Sequence, residues 1–77
     1  MSRTIECVAN RGQNYLVELD DDLSLVSVAV VVRRGRDYGS YQRQIYHRRT
    51  GRPISLTAHC ARNSALATLT AGVRSDG

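Results

Sequence analysis

The sequence contains no lysine, no tryptophan and no phenylalanine, a single proline and two cysteines. Each shortage excludes something. Without Phe or Trp the core has no large aromatic anchor and must be built from aliphatic residues. Val, Leu and Ile number 8, 7 and 3, or 18 of 77 residues, which sits just above the roughly 20% below which a charged chain stays disordered. Two cysteines, Cys7 and Cys60, are too few for a disulfide scaffold. No apolar run approaches the ~18 residues of a membrane span, the longest being 28–32. The opening Met-Ser-Arg-Thr, with an acid at Glu6, does not read as a signal peptide. The expectation is a single domain over 1–77, cytoplasmic and without membrane contact. A chain this short is marginal alone, so a partner is expected to complete its burial.

What is present is arginine. Eleven Arg against seven acids give +4, and every one carries a planar fork of donors that pairs bidentately or stacks. All four aromatics are tyrosines, at 15, 38, 41 and 46. Arg and Tyr are enriched where proteins bind other proteins and where they meet nucleic acid.

Turn signals recur about every ten residues, at Asn10-Arg11-Gly12, Asp20-Asp21-Asp22, 35–39, Thr50-Gly51 and Arg62-Asn63. That spacing predicts a strand meander. Strands are expected over 3–9, with Ile5, Cys7 and Ala9 alternating, and over 13–19, with Tyr15, Val17 and Leu19 on one face. A third is expected over 24–34, where four valines in 28–32 favour strand over a buried helix capped by Asp22. A hairpin follows. Ile54, Leu56, Ala58 and Cys60 alternate with Ser55, Thr57 and His59, and a Thr50-Gly51 turn pairs 49 with 52 and 45 with 56. Gln42, Gln44 and Tyr46 then face outward, and Pro53 marks a free edge on strand five. A short helix over 63–73 is capped by Asn63 or Ser64, with Ala65, Leu66, Leu69 and Val73 as its apolar stripe. The expected fold class is α+β: an antiparallel β-meander of about five strands with one short C-terminal helix packed on one face.

A meander sends alternate turns to opposite ends of the sheet. One end collects Arg11, Arg33, Arg34, Arg36, Asp37 and Arg62, the whole net charge. The other collects Arg3, the three aspartates, Arg48, Arg49 and Arg52, where acids neutralise bases. Mid-strand Arg43 is set against Glu6 and Glu18. The partner-binding residues are therefore expected to be Arg33, Arg34, Arg36, Tyr38, Tyr41, Arg11 and Arg62. No catalytic residue, metal or cofactor is expected. His59 and Cys60, as neighbours on a strand, would point to opposite faces and share no metal. The two cysteines read as small buried hydrophobes.

The stretch Gly39-Ser40-Tyr41, the strand to His47, the Thr50-Gly51 turn, the strand over 54–60 and the Ser64-Ala65-Leu66-Ala67 helix resemble, in architecture, small phage and prophage inhibitors of bacterial defence, notably type I anti-CRISPR proteins. The resemblance covers less than half the chain and carries over no functional residue. It implies a non-catalytic protein that docks on a CRISPR surveillance complex in a bacterial host and blocks target DNA binding or nuclease recruitment. A basic chain would not mimic DNA; it would seat on acidic protein surface or guide-RNA backbone. The last three elements also look like the sheet-plus-helix DNA-binding domains of phage integrase arms, which makes a nucleic-acid module contacting phosphates the alternative. A homo-oligomer joined through a free strand edge is a third expectation.

Overall fold

The computed structural model describes residues 2–9, 11–33 and 39–75, and of residues 33, 40 and 72–75 the backbone only. Four strands, β1 (Arg3–Ala9), β2 (Gln13–Leu19), β3 (Leu25–Arg33) and β4 (Ser40–His47), form one antiparallel sheet in the order β1-β2-β3-β4. A 3-10 turn (Arg48–Thr50) leads out of β4, and one helix, α1 (Leu56–Ser75), closes the fold. The class is α+β, an antiparallel meander with a single C-terminal helix on one face.

The first three strands form as their alternation dictates. Cys7, Tyr15, Val17, Leu19, Val28 and Val30 are buried on one face and meet across the sheet, with Cys7 opposite Tyr15 and Val17 opposite both Ile5 and Val28. The strand reading of the valine run holds: β3 is extended throughout. The first turn places both Arg11 and Gly12 at positive φ, a conformation that glycine adopts without strain and arginine with some.

The expected fifth strand is helix. Residues 56–60 are the opening of α1, and the chain from Gly51 to Ser55 leaves the sheet. Gly51, at φ 70, caps the 3-10 turn, its N–H bonded to the Arg48 carbonyl, so Thr50-Gly51 reverses nothing into a hairpin. The physical reason is the buried set. Ala58, Ala61 and Ala65 are fully buried, and Arg62, Leu66 and Leu69 are half-buried. These positions follow the three- and four-residue steps of a helix. Ile54 and Leu56, the strongest apolar residues of the expected strand, are 41% and 79% exposed. Strand alternation across 54–60 thus competed with a helical stripe made of alanines, and the stripe won because it buries a continuous surface. Pro53 lies in the connection and marks no sheet edge.

The helix start is also earlier than expected. Ser55, not Asn63 or Ser64, caps it: its hydroxyl accepts the Ala58 N–H at 3.2 Å and its carbonyl the His59 N–H at 2.9 Å. Ser64 instead lies inside the helix and donates to the Val8 carbonyl of β1 at 2.7 Å. Replacing Ser55 with Ala should cost about 1 kcal/mol of stability. Chemical denaturation would show the loss as a lower midpoint at unchanged slope, with Ser55→Asp restoring it.

α1 packs chiefly on β1 and less on β2 and β3. Its twenty residues span about 30 Å, and its alanines let it sit low. The Cys7 thiol reaches the Ala61 carbonyl at 3.5 Å. Among the described residues no helix is long and apolar enough to cross a membrane.

Candidate binding edge

β4 is the strand the helix packs on least, and its sequence and register set what it presents. The pairing with β3 slips between Val28 and Ala29: Val28 faces Tyr46 while Ala29 faces Gln44. Ile45 is therefore the extra residue of a bulge, and a bulge re-aims side chains. Ile45 and Tyr46 both pack against the core. Tyr46 is thus on the helix side, not the outer face expected for it, and His47 has moved to the outer face opposite Ser27, while Gln42 and Gln44 remain outside. Arg43, opposite Val30, and Tyr41, opposite Val32, share the helix-side face and are exposed, Tyr41 by 43%.

Below the bulge, β4 and the chain after it frame an open groove of about 430 Å³, between residues 44–47 and Thr50, Arg52 and Pro53. Its lower wall is held by local hydrogen bonds. The Arg49 N–H donates to His47 Nδ1 at 3.0 Å, and the Thr50 hydroxyl donates to the His47 carbonyl at 2.7 Å.

The acid end is a built turn. The Asp20 N–H donates to the Ser24 carbonyl and the Leu23 N–H to the Asp20 carbonyl, both at 2.9 Å. Asp22 accepts from both the hydroxyl and the N–H of Ser24. Arg48 pairs with Asp20 at 2.9 Å. Arg49 and Arg52 are exposed and have no carboxylate partner among the described residues. Nor is Arg43 offset by Glu6 or Glu18. Those acids lie on the opposite face of the sheet by register, and Glu18 is taken by the hydroxyls of Ser2 and Ser27. The charge arithmetic of the two ends therefore missed three arginines along β4 and its exit.

Hydrogen bonds hold three carboxyls below their ordinary range. The Ser2 and then the Ser27 hydroxyl lower Glu18, Arg48 and the Asp21 N–H lower Asp20, and Ser24 lowers Asp22. Each is harder to protonate folded than unfolded, so the unfolded chain takes up protons first as the pH falls. The stabilisation is whole above the ordinary carboxylate range and is lost on descending through it. The thermal midpoint should be level from about pH 7 to about pH 5 and fall below about pH 4. In an Asp20→Asn, Asp22→Asn variant that fall should be shallower; an identical slope would show that these bonds do not contribute.

Of the residues expected to bind, Arg34, Arg36 and Tyr38 lie outside the described residues, and Arg33 closes β3 through its backbone. Arg11 is exposed in the β1–β2 turn, at the same end of the sheet as Tyr41. Arg62 is not at a strand junction. It is half-buried on α1, one residue past the Ala61 that covers Cys7.

Cys7 is buried and Cys60 half-buried, both free. Burial pushes the Cys7 thiol up, against a lowering hydrogen bond with Ser64, which keeps it protonated and unreactive. His59 and Cys60 are successive helical residues, so the strand argument for separating them does not apply. Among the described residues no three His, Cys, Asp or Glu side chains gather where a metal would be held.

Compared with models of protein families, with curated proteins and with solved structures, the chain has no match.

Proposed function

We propose that this chain is a non-catalytic binding protein that docks its arginine- and tyrosine-bearing side on an acidic face of a protein or ribonucleoprotein. Its concrete form is a phage-type inhibitor seated on a CRISPR surveillance complex, where it blocks target DNA binding or nuclease recruitment. The observation that carries the reading is the bare β4 side. Arg43, Arg49 and Arg52 stand there without acids among the described residues, beside exposed Tyr41 and an open groove. Exposed, unpaired guanidinium groups next to aromatic and apolar surface are what interface hot spots are made of. A patch of about 800 Å² is within reach of a chain this size.

The second reading, direct binding of nucleic acid, is favoured by the same three arginines, which could meet phosphates. The outer sheet face disfavours its integrase-arm form. Among its residues with described side chains the charged ones are the acids Glu6 and Glu18, and Tyr46 has turned to the other side.

The test is a reversal of Arg43, Arg49 and Arg52 to Glu together. The parent chain should co-elute with a purified type I surveillance complex, and the triple variant should lose affinity by at least about 100-fold while keeping its thermal midpoint. Labelled single- and double-stranded DNA and RNA, titrated at about 50 and 200 mM salt, separate the readings. Micromolar binding that collapses with salt would transfer the arginines to phosphate recognition. Unchanged binding by the triple variant would show that the β4 side is not the docking surface.

A further inference from the structure

We propose that the open edge of β4 takes an extended acidic segment of the protein partner as a fifth strand, with a side chain of that segment seated in the groove below the bulge. This rests on the protein-docking reading above and names its mode.

The two edges of the sheet differ. At β1 the Ser64 hydroxyl donates to the Val8 carbonyl at 2.7 Å, and α1 lies over the strand. That edge is partly occupied by the chain itself. β4 has β3 on one side and, among the described residues, no strand on the other. In an antiparallel ladder alternate residues direct their N–H and C=O groups away from the neighbour. Beyond the β3 ladder, no described hydrogen bond reaches the backbone of Gln42, Arg43 or Gln44. An edge of this kind is a template for another strand.

Geometry limits the added strand. The bulge at Ile45 ends regular pairing at Gln44. Immediately past it lies the groove of about 430 Å³, larger than an aromatic side chain needs. A segment paired along 42–44 reaches the groove with its next residues. Charge then selects the segment. Arg43 sits beside the pairing edge, Arg52 lines the groove and Arg49 directly precedes its Thr50 in the chain, all without carboxylates among the described residues. Acids at alternate positions would meet them.

The same charges argue against a second copy of this chain. Suppose that copy continues the sheet with its helix on the same side. Centring the pairing anywhere in 42–44 then puts Arg43 directly or diagonally opposite its own copy. The separation on one face is about 5–8 Å, where like charges repel.

The probe is a capped nine-residue peptide of alternating Glu and Val, titrated into the full chain and followed by amide exchange and chemical shifts. Two controls accompany it: the Lys/Val analogue, and the Glu/Val peptide N-methylated at alternate nitrogens, which keeps the charge and removes the strand donors. The Glu/Val peptide should bind and slow exchange in β4, N-methylation should weaken it at least tenfold, and Lys/Val should not bind. Arg43→Glu should invert the preference between Glu and Lys. Equal binding of the N-methylated peptide would reduce the effect to charge attraction and overturn strand addition. So would perturbation confined to the outer face. If no peptide binds while the triple arginine variant still loses the surveillance complex, strand addition falls and the docking reading stands.

Discussion

Leu19→Ala should remove a large share of the protein's stability and lower its denaturation midpoint more than Ser55→Ala or Leu56→Ala. Leu19 is fully buried and, with Val17 and Val28, is among the largest side chains wholly inside the core. Its truncation removes three carbons from a core with no Phe or Trp to collapse into the space. Leu-to-Ala changes at such sites cost about 2–5 kcal/mol. A stable 77-residue domain has about 4–12 kcal/mol in all. A loss of about 5 kcal/mol exceeds the whole stability at the bottom of that range and takes more than half of it at the middle. Urea denaturation followed by circular dichroism measures the loss directly. Leu56→Ala is the control: its side chain is 79% exposed, so its midpoint should barely move. A Leu19→Ala midpoint close to that of the parent would mean that the helix and sheet are not held by this core.

The second large effect is expected at the seat of the helix. Ala61 is fully buried, and its carbonyl receives the Cys7 thiol at 3.5 Å. Ala61→Leu adds three carbons where the helix backbone touches β1, and overpacking of this kind costs about 1–3 kcal/mol. The strain should lift α1 locally rather than disturb the β3–β4 ladder. Amides of β1 should then exchange faster while those of β3 keep their protection. Ala67→Leu, at an exposed position on the same helix, should be neutral. Uniform loss of protection across all strands would instead mean that helix and sheet unfold as one unit.

These two sites show how much was legible in the sequence and why the rest was not. Tyr15, Val17, Leu19, Val28 and Val30 announce themselves, because β-branched or large residues alternating with polar ones have few other ways to be buried. Ala58, Ala61 and Ala65 do not. Alanine contributes little to a hydrophobic pattern, and its value here is smallness, visible only once a β-strand lies against it. Ile54, Leu56, Ala58 and Cys60 offered a stronger apparent signal, yet two of those four are solvent-exposed. Ser55 directly after Pro53-Ile54 was the legible cue for a helix start. The bulges at Glu18/Leu19 and Val28/Ala29 depend on neighbouring strands and leave no mark on the string of residues. Part of the site was lost with them: Tyr46 changed face because of a bulge. Arg43, Arg49 and Arg52 were counted as cancelled because charges were summed by region. Whether two charges cancel depends on the face each occupies and on what else holds them.

Ser64 on Val8 and Cys7 on Ala61 join residues 56 and 54 positions apart, whereas each strand of the meander pairs with its sequence neighbour. The sheet can therefore zip locally and quickly, and the helix must close the longest loop in the molecule to reach the first strand. Helix docking is then the late event. Weakening it at Ala61 should speed the escape from the native state far more than it slows the approach to it. On a chevron plot the Ala61→Leu variant would shift the unfolding arm and leave the refolding arm nearly in place.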